Sequence, residues 1–361
     1  KVRASWANVG NDTSPYSLYD AYSKTSLPGG FTLPSTLKDA YINPENVESW
    51  EVGFEGKFFS NRLNLDLALY KNTTTDQILG VSQSSETGAT KVMMNAGRVE
   101  NKGIEISFRL RPVQTRDLLW EINGNWARNK NKLCELNDGW DPSTPLQTSM
   151  GVTIGSRTFV YSYIGEEMHW IYGRDYVRAP KGSTYTDENG TVIDCSGMPI
   201  IDPKTGYPSL IEDPNQRIAK VNPDWKAGFG TSVRYKNLSF SAQFTAQVGG
   251  NSFSVTNFAL SYQGKLKNSL PGREDGLVLK GVNAVDNGDG TISYRKNNTI
   301  TENVYIYYNK YQWVRDNTKA NTFSTDFLKL KEVRLDYRFS ERWMQKTKFL
   351  RSASIGIFAT N

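Results

Sequence analysis

WEVGFEGKFFSNRLNLDLALY, residues 50–70, reads as two long strands joined by a tight turn at Ser60 and Asn61. Trp50, Val52, Phe54 and Phe58 alternate with Glu51, Gly53, Glu55 and Lys57. Beyond the turn, Leu63, Leu65, Leu67 and Leu69 alternate with Asn64, Asp66, Ala68 and Tyr70. A period of two marks a strand, whose successive side chains point to opposite faces. Each segment therefore presents one apolar face and one polar face bearing carboxylates. Two architectures use such a ribbon: half of a sandwich in water, or a wall with hydrocarbon on one side and a wet lumen on the other.

The alternation recurs along the chain. Residues 1–9 form a first strand. Ile104, Ile106, Phe108 and Leu110 oppose Glu105, Ser107, Arg109 and Arg111, and Trp120, Ile122, Gly124 and Trp126 oppose Glu121, Asn123, Asn125 and Ala127. The pattern returns at Ala227, Phe229, Thr231, Val233 and Tyr235, and again at Leu238, Phe240, Ala242, Phe244, Ala246 and Val248. Val333, Leu335, Tyr337 and Phe339 then oppose Glu332, Arg334, Asp336 and Arg338, and a last strand begins near residue 351. Connections come in two kinds. Ser60-Asn61, residues 112–117, Lys236-Asn237 and residues 340–350 are short, whereas residues 10–47, 79–96, 132–224 and 250–326 are long. A soluble sandwich has no reason to sort its loops this way, whereas outer-membrane barrels pair short periplasmic turns with long extracellular loops. Closure also removes the two edges that an open sheet of about nine strands would leave unpaired. The fold class expected is all-β, an antiparallel transmembrane β-barrel represented in part.

Composition agrees. Hydrophobic residues are 38% of the 361, and no run of about 18 apolar residues is long enough for a membrane helix. Alternation halves the hydropathy signal of a barrel strand, so low hydropathy does not count against one. Trp50, Tyr70, Trp120, Trp126, Trp225, Tyr235, Tyr337 and Trp343 lie near strand ends, where an aromatic girdle belongs. The net charge of +6 is spread among 37 acidic residues with no basic stripe, which speaks against a nucleic-acid partner. Cys134 and Cys195 stand alone, with neither CxxC spacing nor a histidine cluster, since His169 is the only histidine. No metal or other cofactor is expected, and a single bridge between the two cysteines stays open beside two free thiols.

Catalytic signals are weak. Asp286-Asn287-Gly288-Asp289-Gly290 lacks the oxygen spacing and closing Glu of an EF-hand, and a surface hairpin turn is the simpler reading. Asp187-Glu188-Asn189-Gly190 and Lys204-Thr205-Gly206 read as hairpin turns as well. Glu166 and Glu167 beside His169 lie in a Gly- and Tyr-rich loop and read as solvated charges. No Ser/His/Asp arrangement or phosphate loop is present, and no catalytic residue is assigned.

Beyond these patterns the wording itself resembles a family. Asn43-Pro44-Glu45, Ser49-Trp50-Glu51-Val52-Gly53, FFSNRLNLDLALY and Asp76-Gln77-Ile78-Leu79 are similar to the barrel of SusC/RagA-type TonB-dependent outer-membrane transporters. The likeness continues in order through NAGRVENKGIEI (95–106), WEINGNWARNKNKL (120–133), IGEEMHWIYGRDYVR (164–178), NPDWKAGF (222–229) and FLKLKEVRLDYRFS (327–340). The resemblance implies a barrel of about 22 strands with a plugged lumen, of which residues 1–361 would be the C-terminal part, without the plug and first strands. It implies location in the outer membrane of a Gram-negative bacterium, in contact with lipid. It also implies two partners, the TonB energising complex and a SusD-type surface lipoprotein, and leaves open a dimer of transporter–lipoprotein pairs. The cargo expected is an oligosaccharide, with an oligopeptide next. A non-transporting adhesion barrel and a soluble glycan hydrolase are rival readings from other classes.

Substrate would meet the loops and the lumen wall. On the loops, Trp170, Tyr172, Arg174, Asp175 and Tyr176, with Tyr305, Tyr307 and Tyr308, offer aromatic faces and polar groups for a sugar or peptide. The same rings could instead hold long loops together. On the wall, Glu51, Asp66, Glu105, Arg109, Glu332, Arg334, Asp336 and Arg338 are candidates for contact with substrate or plug, or for a mutually paired, hydrated surface.

Overall fold

A computed structural model describes residues 1–361 apart from 14, 16–17, 83–85, 87, 137–139, 150–157, 315 and 347–348. Among the described residues, nine strands form one sheet in which each pairs with its sequence neighbours. They are β1 (Val2–Asn11), β2 (Glu45–Phe58), β3 (Leu63–Thr75), β4 (Arg98–Gln114), β5 (Leu118–Glu135), β6 (Pro223–Tyr235), β7 (Leu238–Gly249), β8 (Phe327–Arg338) and β9 (Ser354–Thr360). All pairings are antiparallel.

The register keeps the two faces apart. Phe54 lies opposite Leu67, Leu67 opposite Ile106, and Ile106 opposite Trp126. Farther along, Val233 faces Phe240, Phe240 faces Leu335, and Leu335 faces Ile357. This apolar face is uncovered: Trp50 is 55% exposed, Val52 52% and Ile357 71%. Leu63, Leu65 and Leu67 are half-buried by their strand neighbours alone and belong to none of the three buried clusters. Trp6, Trp50 and Trp225 rim it near the long loops, and Trp120, Tyr235 and Tyr337 near the short turns. Tyr70 is on the polar face instead, its hydroxyl donating to Asn129 at 3.2 Å.

Register shifts occur at four places in this sheet, with Cys134 of β5 and Asp224 of β6 as the extra residues near the long loops. Arg111 and Pro112 together oppose Glu121, and Lys331 is the extra residue where Gln243 and Phe244 pair with Glu332 and Leu330. Pro112 therefore sits inside β4, and the turn expected over residues 112–117 contracts to 115–117. A proline has no ladder N–H to lose at a bulge. The turn of residues 59–62 holds Phe59, Ser60 and Asn61 at positive φ, and Lys236 in the two-residue turn has φ +52°. Residues 340–350, read as a short turn, contain a helix, Glu341–Gln345, and positions 347–348 lie outside the described residues.

The long loops have structure of their own. Thr36–Lys38 pairs in parallel with Lys91–Asn95, which pairs with Ile78–Ser82, so the loop read over residues 79–96 is a small hairpin whose tip includes undescribed positions. Thr184–Thr186 pairs with Val192–Asp194 across the Asp187 turn, and Val282–Asp286 pairs with Ile292–Lys296 across the Asp286–Gly290 turn. Cys134 and Cys195 are both free thiols.

With hydrocarbon against the apolar face, Leu65→Arg and Phe240→Arg should each cost about 2–4 kcal/mol. Asp66→Asn, which weakens one half-exposed ion pair, should cost less than about 1 kcal/mol. The fraction of heat-modifiable folded protein in outer membranes of cells expressing the full-length gene measures this. Equal yields for the three variants would exclude the assigned faces.

Candidate functional site

All eight wall candidates lie on the polar face. Arg3, which the sequence patterns did not single out, joins two of them: its guanidinium reaches Glu51 at 3.3 Å, Glu55 at 3.0 Å and Asp66 at 3.0 Å. Gly53 makes room, because a Cβ there would lie 2.5 Å from Arg3 Nε. Arg109 pairs with Glu121 at 3.4 Å, and Arg334 with Asp336 at 2.6 and 2.9 Å. Glu105 faces Ala68 and Ala127, Glu332 faces Gln243, and Arg338 faces Ser354. Nearer the long loops the face changes character: Ser49, Asn72, Asn101 and Asn131 stand in register on four successive strands, a rung of neutral hydrogen-bonding groups.

Above that rung the same face turns apolar. Val99 and Leu133 follow Asn101 and Asn131 by parity, and both are buried with Leu136, Leu146 and Met168. The loop of residues 136–222 folds back over the wall here, with Met168 N–H donating to Asn131 O and Leu133 N–H to Glu166 O, both at 3.1 Å. Asn222 Nδ2 closes the joint on Asn131 Oδ1 at 3.0 Å and Met168 O at 3.2 Å. His169, at φ +69°, directs Nδ1 toward Asn131 at 3.4 Å and Asn222 at 3.5 Å. Two amide N–H groups facing Nδ1 require an unprotonated nitrogen there, and burial lowers the pKa of this histidine below 6.5.

The loop's own sheet runs Leu146–Ser149, Phe159–Ser162, Trp170–Gly173 and Gln216–Lys220. It gathers Phe159, Tyr161, Tyr163 and Tyr172 into one cluster, with ring centres 5.3–5.7 Å apart. Arg217 lies 4.8 Å from the Trp170 ring centre, donates from Nε to the Tyr172 hydroxyl oxygen at 2.9 Å, and pairs with Glu166. Trp170 and Tyr172 are thus together, and Tyr172 is buried. Asp175 holds Arg178 through two hydrogen bonds of 2.8 and 2.9 Å. Arg174 leaves its Nε buried without a partner among the described residues.

Tyr176 belongs to a second group. It is buried, and its hydroxyl donates to Gln312 Oε1, which also accepts from the Tyr307 hydroxyl at 3.1 Å. Burial pushes the Tyr307 phenol up to about 12 and Tyr176 well above its ordinary range. Tyr307 and Tyr308 share a core with Ile201, Tyr207, Leu279 and Val304, so both long loops contribute to it. Further ties are Thr158 Oγ1 to Thr318 Oγ1 at 2.8 Å, Ile201 N–H to Val282 O at 2.8 Å, and Asn283 Nδ2 to Ile201 O at 2.8 Å. Tyr305 stands apart, 74% exposed at the mouth of a cavity of about 710 Å³ that Tyr308 also lines. The cavity lies between α1 (Val255–Tyr262) and the helical segment that includes Tyr307–Gln312. Its other lining residues, among them Tyr262, Arg273, Glu302 and Asn309, carried no signal in the sequence beyond being polar or aromatic in a loop.

Comparison with known proteins places this geometry. A family model described as TonB dependent receptor-like, beta-barrel, matches residues 1–269. TonB-dependent receptor P3 of Formosa agariphila is 27% identical over 71% of this chain and 26% of its own length. TonB-dependent receptor P39 of the same organism is 23% identical over the whole chain and 36% of its own length. TonB-dependent receptor SusC of Bacteroides thetaiotaomicron is 24% identical over 69% of the chain and 25% of its own length. Among solved structures, the RagAB peptide transporter superposes on the whole chain with a TM-score of 0.68 at 18% identity, over 36% of that chain. The chain thus spans about a quarter to a third of the length of these relatives.

Two outcomes follow from the loop geometry. The unfolded loop binds a proton at His169 more readily than the folded one, so the joint is intact above about pH 6.5 and weakens as pH falls below it. Protection factors for amide exchange at residues 131, 168, 169 and 222, taken against the intrinsic rate at each pH, should fall between pH 7 and 5, and His169→Asn, which tolerates positive φ and keeps an acceptor, should flatten that response. Gln312→Leu removes the acceptor shared by two buried tyrosine hydroxyls and should destabilise the loop core by about 1–3 kcal/mol. Faster surface proteolysis within residues 136–222 and 250–326 in whole cells reads this out, and unchanged cleavage would rule the contact unimportant.

Proposed function

This chain belongs to the TonB-dependent receptor family of outer-membrane β-barrels, and on that footing we propose that the full-length protein imports an oligosaccharide too large for simple porins. In this reading residues 1–361 are part of a larger barrel, energy arrives from TonB through a plug outside this sequence, and a SusD-type lipoprotein caps the extracellular mouth. The apolar face meets lipid and the polar face lines the passage. The family is one of transporters and receptors, and the work assigned is binding and gated passage without bond-making.

The observation that carries the choice of cargo is the rung of Ser49, Asn72, Asn101 and Asn131. Hydroxyl and amide groups can exchange hydrogen bonds with a neutral polyhydroxylated chain as readily as with water, so passage leaves no charge stranded. Lower on the wall, Arg3 offsets part of the carboxylate charge of Glu51, Glu55 and Asp66, which suits an uncharged cargo as well. Oligopeptide import is the second reading, favoured by the likeness in fold to the RagAB peptide transporter. Six of the eight loop candidates divide under this proposal: Tyr305 is bare and Trp170 half-buried, so both are open to cargo, whereas buried Tyr172, Tyr176, Tyr307 and Tyr308 set the shape of the mouth.

Deleting the full-length gene and growing the strain on defined glycans and defined peptides tests this. Growth on one glycan class should be lost while growth on its monosaccharide persists. Loss confined to peptides would establish the second reading, and loss of surface attachment with all growth intact would replace import by adhesion.

A further inference from the structure

We infer that the cavity between α1 and the helical segment of residues 304–312 is a saccharide-binding subsite at the mouth, an inference that rests on the import reading and gives it a location. The cavity, of about 710 Å³, falls within the range of small-ligand sites. Tyr262 and Tyr305 bring aromatic faces to it, and both are exposed, at 47% and 74%. Rings left this bare at a cavity mouth offer flat apolar surface to the C–H face of a sugar.

The polar lining is arranged for a neutral ligand. Arg273 and Glu302 supply one charge of each sign. Arg273 is already anchored, with Nε donating to Ser269 O at 2.8 Å and one terminal nitrogen to Ser269 Oγ at 3.0 Å, so its remaining donors are held in a fixed direction. Tyr308 is fixed likewise by its hydroxyl on Pro271 O at 2.9 Å. Glu302 and Asn309 make no side-chain hydrogen bond among the described residues, which leaves a carboxylate and an amide for hydroxyl groups.

Backbone conformation points the same way. Tyr307–Gln312 is π-helical, and Trp313 N–H donates to Tyr308 O at 2.9 Å, five residues back. Such wide turns are rare and recur at functional sites. Here the turn places Tyr307 and Tyr308 both inward, one toward Gln312 and one toward the cavity. Among the described residues the cavity walls are helix and loop and present no strand edge, so the main-chain pairing that is one mode of binding an extended peptide is missing.

The test uses the full-length transporter purified with its lipoprotein, titrated calorimetrically with maltohexaose, cellohexaose, xylohexaose, mannohexaose and hexaalanine. The native complex should bind at least one of the glycans, Tyr305→Ala should weaken that binding by about tenfold or more, and Tyr305→Phe should restore it. Equal affinity in Tyr305→Ala, binding of hexaalanine alone, or binding of none of the probes overturns the subsite. Import is judged separately by growth of the complemented deletion strain. Growth with wild-type protein but an unaltered rate with Tyr305→Ala removes the subsite and leaves import standing, and no growth advantage from the wild-type gene removes import itself.

Discussion

A peptide group next to hydrocarbon has no water to bond, so each must find a partner sideways in the sheet. That requirement orders everything else in the wall. It accounts for a sheet in which every inner strand has a hydrogen-bonded neighbour on both sides, here as a meander in which each strand pairs with the next in sequence. It also accounts for where irregularity is placed. Of the four register shifts, one lies beside the short turn at residues 115–117, two lie at Cys134 and Asp224 next to the long loops, and one lies between Glu332 and Leu330. The apolar side chains need no second protein layer, because the solvent they meet is as apolar as they are.

Beyond the wall the same strands obey a different rule. Past Asn101 and Asn131 the inner face switches to Val99 and Leu133, and the returning loop buries them. Surrounded by water, the loops must make a core of their own, and they make it largely of tyrosine. A phenol fills space like an apolar residue yet needs a partner for its hydroxyl. Tyr176, Tyr207, Tyr307 and Tyr308 each tie their hydroxyl to a particular acceptor, such as Gln312 or Pro271 O, and the loops acquire one packing arrangement in place of many.

How much of this could be read from the sequence follows from the same contrast. Period-two alternation is a local property, so the faces, the short turns and the side of Glu51, Asp66 and Glu105 were legible residue by residue. Strand ends were less so: Pro112 looked like a breaker, and only the bulge opposite Glu121 explains its place in β4. The loops were opaque because their order comes from pairs far apart in the chain. Nothing local to Tyr176 announces Gln312, and nothing near Thr158 announces Thr318. Arg3 was overlooked for a similar reason, since its three carboxylates lie on two other strands. Tyr305, Tyr307 and Tyr308 looked alike as neighbours in an aromatic run, yet one is bare and two are buried.

The ties between the two longest loops have a consequence for how such mouths diversify. Thr158 with Thr318, Ile201 with Val282 and Tyr176 with Gln312 each draw one partner from either loop. Neither loop is therefore an independent module. A graft that imports one of them from a relative would leave orphaned hydroxyls and half a core, so new cargo preference is more readily inherited as a co-adapted pair, and chimeras are best cut in the wall, where the rungs of one barrel resemble those of another.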